Sequence, residues 1–86
     1  MLEQIHEQIS VVTVYNRVKG TVMPWKIKWQ GRVYTITKLG YYHKRKVGKT
    51  VLHVFDVTDN CMSFRLLCNP ETLHWTLEEV SDGLAN

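Results

Sequence analysis

Alanine is nearly missing from this chain: Ala85 is the only one among 86 residues. Alanine is the strongest helix former, and the chain is instead rich in valine, threonine, tyrosine and tryptophan, which favours strands over helices. Glycine occurs five times, at dispersed positions (Gly20, Gly31, Gly40, Gly48 and Gly83), so no glycine-rich phosphate loop is present. There is no nucleophile elbow and no His-Glu-x-x-His motif. No apolar run approaches the ~20 residues that a membrane-crossing helix needs. The opening Met1 to Glu7 lacks the basic start and apolar stretch of a signal peptide, so the chain is expected in the cytoplasm, with no membrane partner.

Cysteine is also scarce. Cys61 and Cys68 are too few to frame a small secreted domain, and in a reducing cytosol both are expected as free thiols. Cys68 closes the apolar run Phe64 to Cys68 and reads as a buried small hydrophobe. The histidines, His6, His43, His53 and His74, stand at no metal-ligand interval from one another or from a cysteine. No metal or cofactor is expected. His53 reads as a hydrogen-bonded strand residue, and His74 as one on an outer face. Neither cysteine forms a recognisable nucleophile–base pair with a histidine. Asp56 and Asp59 flank a turn, where carboxylates commonly serve as turn formers. No catalytic residue is assigned, and the chain is expected to be non-catalytic.

What the sequence has in quantity is short alternating runs between turn signals. Eighty-six residues bound it to one domain. Val18 to Thr21, Gln30-Gly31, Val47-Gly48, Thr58 to Asn60 and Asn69 to Glu71 mark turns. They separate strands expected over 10–18, 25–30, 32–42, 50–58, 62–68 and 73–80. Trp25, Ile27 and Trp29 alternate with Lys26, Lys28 and Gln30, so at least two of that apolar trio belong in a core. Trp75, between Leu73 and Leu77, is expected in the core as well. Tyr41 and Tyr42 are adjacent, so one faces inward and the other outward, the outward one being the better stacking surface. Residues 1–9 allow two readings: Leu2, Ile5 and Ile9 have helical spacing, and the same segment can extend the first strand. Residues 81–86 read as a frayed tail. The expected fold is all-β, a five- or six-stranded antiparallel sheet curled into a small barrel or roll, with an optional short N-terminal helix.

Charge is distributed unevenly. The stretch from Arg17 to Lys49 holds ten basic residues and no acidic one, although the whole chain carries only +3. The functional reading is a surface for nucleic acid or another polyanion, on which lysines and arginines neutralise phosphates while aromatic rings accept bases. Its candidate residues are the basic hairpin tip and its neighbours: Lys44, Arg45, Lys46, Lys49, Tyr41, Tyr42 and His43. A competing reading is internal: Lys26 and Lys28 are neutralised across the sheet by Glu78 and Glu79 of the last strand, and the tip carries charge to protect an edge. A third expectation is a protein-interaction or homodimerisation domain, using a strand edge and the N-terminal segment.

The segment Pro24-Trp25-Lys26-Ile27-Lys28-Trp29-Gln30-Gly31-Arg32-Val33-Tyr34 resembles the opening of small bacterial proteins classed only as domains of unknown function. In that pattern an aromatic strand leads through a glycine-arginine turn into a tyrosine strand. Phe64-Arg65-Leu66 and Leu73 to Leu77 are similar to the continuation of such proteins. The resemblance implies a compact β domain and brings no activity and no site residues.

Overall fold

The computed structural model describes residues 2–82. Seven strands form one antiparallel sheet: β1 (Leu2–Asn16), β2 (Thr21–Trp29), β3 (Arg32–Thr35), β4 (Lys38–Val47), β5 (Thr50–Thr58), β6 (Met62–Cys68) and β7 (Trp75–Asp82). Their order across the sheet is β3-β2-β1-β7-β6-β5-β4. The all-β expectation holds, and the count of five or six strands is corrected to seven. The expected third strand is in fact two, broken at Ile36-Thr37. The barrel does not close. Near the gap between the edge strands, the Ile36 amide donates to the Trp25 carbonyl at 2.7 Å and the Thr37 amide to the Thr58 carbonyl at 2.8 Å.

The optional N-terminal helix is not formed; Leu2 to Ile9 extend the first strand. That half of β1 pairs with β7, and Ser10 to Asn16 pair with β2. One long strand therefore carries the sheet from one half of the molecule to the other. A bulge at Ile5-His6, with His6 at φ 54°, accommodates the bend. Ser81 and Asp82, expected in the tail, belong to β7; the rest of that tail lies outside the described residues.

The turns follow from their residues. Gln30 and Gly31 both have positive φ, the requirement of a type I′ hairpin, and Gly48 supplies positive φ at the first position of the Gly48-Lys49 turn. The side-chain oxygens of Asn16, Asp59 and Asn69 each accept two backbone N–H groups of the loops they open.

Curling the sheet brings together Ile27 and Trp29 of β2, Phe55 and Val57 of β5, Phe64 and Leu66 of β6, and Leu77 and Val80 of β7. Phe64, Leu66 and Leu77 are completely enclosed, each contributing roughly 1.5–3 kcal/mol of burial. Trp75, expected in the core, is partly buried and packs against the edge of this cluster. Trp25 does not. It falls at a register shift between β1 and β2, remains 46% exposed, and lies under the Lys26 ammonium, 4.7 Å from the ring centre. Leu73 is also displaced from its expected strand, exposed at positive φ in the loop before β7.

Candidate functional site

The two faces of β4 carry different chemistry, and β5 shows which face is which. Directly opposite residues of an antiparallel pair share a face. Tyr42 lies opposite Phe55, Lys44 opposite His53 and Lys46 opposite Val51; His43 lies opposite Val54 and Arg45 opposite Leu52. Phe55 belongs to the core, so Tyr42, Lys44 and Lys46 are on the concave side. His43, Arg45 and Tyr41 are on the convex side. The expected basic hairpin tip is thereby corrected. Only Gly48 and Lys49 form the turn, and the residues before them are strand, where alternation divides them.

The convex face holds an ion-pair network. Arg45 donates two hydrogen bonds to the Glu78 carboxylate, at 2.7 and 3.2 Å. Arg65 donates through Nε to Asp56 at 2.9 Å and lies 3.2 Å from Glu79. Asp56, Arg65 and Glu79 form one cross-strand row over β5, β6 and β7. Glu78 joins them because a bulge in β7, opposite the Arg65/Leu66 step, places adjacent glutamates on the same side and turns Val80 into the core. The hydrogen bonds from Arg45 hold the Glu78 carboxyl below its ordinary value, against the opposing effect of burial. Hydrogen bonding to Glu78 and to Asp56 likewise raises the Arg45 and Arg65 guanidiniums. His43 faces the same side with its ring 5.1 Å from that of Tyr41; its Nδ1 is buried without a hydrogen-bond partner among the described residues.

The acids of the last strand therefore meet arginines of β4 and β6, not Lys26 and Lys28. Strand β2 sits between β1 and β3, away from β7, which corrects the expected neutralisation of those lysines. Of the ten basic residues between Arg17 and Lys49, only Arg45 meets a carboxylate among the described residues.

The concave face opens into a cavity of about 860 Å³. Ile9, Val11, Leu39 and Met23 supply apolar lining, and Tyr42, His53, Phe55 and Trp75 supply rings. Tyr42 and His53 are stacked at 15° between planes, and the Tyr42 hydroxyl and His53 Nδ1 are hydrogen-bonded to each other. The structure thus bears out His53 as a hydrogen-bonded strand residue. His74, expected on an outer face, is exposed in the loop before β7 and borders the cavity. Burial pushes the Cys68 thiol up, so at neutral pH it stays protonated and contributes to the lining as an apolar group. Lys19, from the loop between β1 and β2, also borders the cavity.

The seven sequence-derived candidates thus divide. Tyr42, Lys44 and Lys46 lie on the cavity side, Lys49 lies in the turn beyond them, and Tyr41, His43 and Arg45 lie on the opposite face. Sequence reasoning missed His53, Trp75 and Lys19 as neighbours of this group. His53 had a recoverable signal, since the hairpin register fixed by Gly48-Lys49 pairs it with Lys44. Compared with family models, with curated proteins and with solved structures, the chain matches none.

Proposed function

We propose that this chain is a small non-catalytic binding module that takes a polyanion, with single-stranded nucleic acid the best-matched chemistry, along the concave side of β4. The observation that carries this reading is the separation of the β4 lysines from the acids of β5 and β7, which lie on opposite faces of the sheet. Lys44 and Lys46 are exposed, share a face with Tyr42, and have no carboxylate within ion-pairing distance among the described residues. Asp56, Glu78 and Glu79 are held on the other face by arginines. A strand of phosphates approaching the concave side meets Lys44, Lys46 and Lys49 without repulsion from that acidic cluster. Aromatic rings beside the lysines suit single strands, whose bases are free to stack.

The reading narrows the binding group to Tyr42, Lys44, Lys46 and Lys49, with Lys19 at the border of the cavity. It assigns Arg45 to the fold. The lysines on β4 also work against the competing reading of self-association through that edge, because two such edges would bring like charges together.

The test is titration of a labelled single-stranded oligonucleotide at rising salt. Three phosphate contacts on a single strand give a slope of about −2 in log K against log salt. A slope near zero, or no anisotropy change at low salt, rules out the polyanion reading.

A further inference from the structure

We infer that the concave cavity is a base-accepting site: the planar, hydrogen-bonding ring of a nucleobase enters it while the attached phosphate remains on the lysine rim. The inference rests on the polyanion reading above and extends it from the backbone of the ligand to its bases.

Three features of the cavity point to this ligand class. The first is a continuous aromatic wall. His53 stacks on Tyr42 with ring centres 5.8 Å apart, Tyr42 meets Phe55 at 4.9 Å, and Phe55 meets Trp75 at 5.5 Å. All four line the cavity, so an entering ring finds aromatic surface.

The second feature is charge. Among the described residues, no aspartate or glutamate lines the cavity, and Lys19 is the one lysine or arginine that does. A phosphate drawn fully inside would lose water with little compensation, whereas Lys44 and Lys46 lie further along β4 on the same face. The site therefore separates a neutral ring from an anionic tail.

The third feature is polarity within the apolar wall. Beyond the hydrogen bond between them, the Tyr42 oxygen and His53 Nε2 keep hydrogen-bonding capacity, and Thr13 adds a hydroxyl. A hydrocarbon chain makes no use of that remaining capacity, while the edge of a base does. The volume of about 860 Å³ lies within the roughly 300–1,000 Å³ of sites for small organic ligands.

The experiment compares labelled octathymidylate with an abasic octamer of the same charge, at low salt, by fluorescence anisotropy. Base stacking predicts that the thymidine octamer binds at least about tenfold more tightly. Tyr42→Leu should abolish most of that preference, and Tyr42→Phe, which retains the ring, should keep most of it. Circular dichroism checks that both variants are folded. Thymidine monophosphate alone identifies the source of the base: shifts of the His53 and Trp75 ring signals on its addition indicate a site for free nucleotides, and shifts only with the octamer indicate a base presented by a strand. Equal affinity of the wild-type protein for the two octamers overturns the base site and leaves the polyanion reading standing. Failure of both octamers to bind overturns both.

Discussion

Arg45 and Lys44 are adjacent in sequence and differ in everything that faces them. The Arg45 guanidinium is matched to the Glu78 carboxylate in the forked geometry that an ammonium cannot reproduce. The Glu78 side chain is 11% exposed and that of Arg45 35%, so solvent screens one partner and the pair contributes about 1 kcal/mol, toward the upper end of the range for exposed pairs. Its pH dependence has a definite sign. Glu78 is held below its ordinary value of 4.5 in the folded chain, so the folded state binds its proton more weakly than the unfolded state does. The stabilisation is complete above the unfolded value and is lost as pH falls below it through the lowered folded value. Glu78→Gln is expected to reduce stability by about 1 kcal/mol at pH 7, with the difference from wild type shrinking toward pH 3. Urea midpoints at pH 7, 5 and 3 measure this; a difference independent of pH would show that the carboxylate charge is not its source. At this scale the sequence was only partly legible. The concentration of basic residues was visible, but which of them meets an acid depends on the residues of β4 and β7 facing the same side with two strands between them, and no local pattern reports that.

Among the elements, β5 and β6 were readable to the residue, because Gly48, Asp59-Asn60 and Asn69-Pro70 are strong turn signals on either side of them. Elements containing irregularities were harder. Ile5 and Ile9 are four apart, a spacing that puts both on one face of a helix and equally on one face of a strand, so periodicity alone could not decide residues 1–9. Both side chains pack against the core from β1, and Leu2, three residues before Ile5, is exposed. The β7 bulge similarly breaks alternation and brings in Val80, which strict period-two reading would have turned outward. The break at Ile36-Thr37 has no glycine or proline to announce it. The β4–β5 hairpin, which sets the register of Lys44 against His53, depends on Gly48 at φ 61°. A Cβ there meets nothing within 4 Å, so backbone conformation alone sets the effect of substitution. Gly48→Ala is expected to lower stability by about 1–2 kcal/mol, the cost of a left-handed conformation in an L-residue. Chemical denaturation checks this, and an unchanged midpoint would mean that the turn does not require positive φ.

For the molecule as a whole, one strand shared between two halves of a curled sheet produces the enclosed core and the open cavity together. The core is concentrated where β2, β5, β6 and β7 face one another. The cavity lies where the concave surface continues past that cluster towards Tyr42, His53 and Trp75. Of this site, the lysines and Tyr42 were legible as a basic-aromatic cluster. The cavity was not, because it is formed by residues as far apart in sequence as Ile9 and Trp75. The net charge of +3 understates the asymmetry: the arginine network uses Asp56, Glu78 and Glu79 on the convex side, and the lysines on the concave side of β4 meet no carboxylate among the described residues.

The central claim is that strand alternation, not proximity in sequence, decides which basic residues are available to a partner. It is tested most directly by the salt dependence of oligonucleotide binding in two variants, Lys44→Gln/Lys46→Gln and Arg45→Gln. The double lysine variant is expected to flatten the slope of log K against log salt by about 1.4, the contribution of two single-strand phosphate contacts, while Arg45→Gln leaves the slope unchanged and loses stability instead. The opposite result, a slope flattened by Arg45→Gln and untouched by loss of the two lysines, would contradict the account.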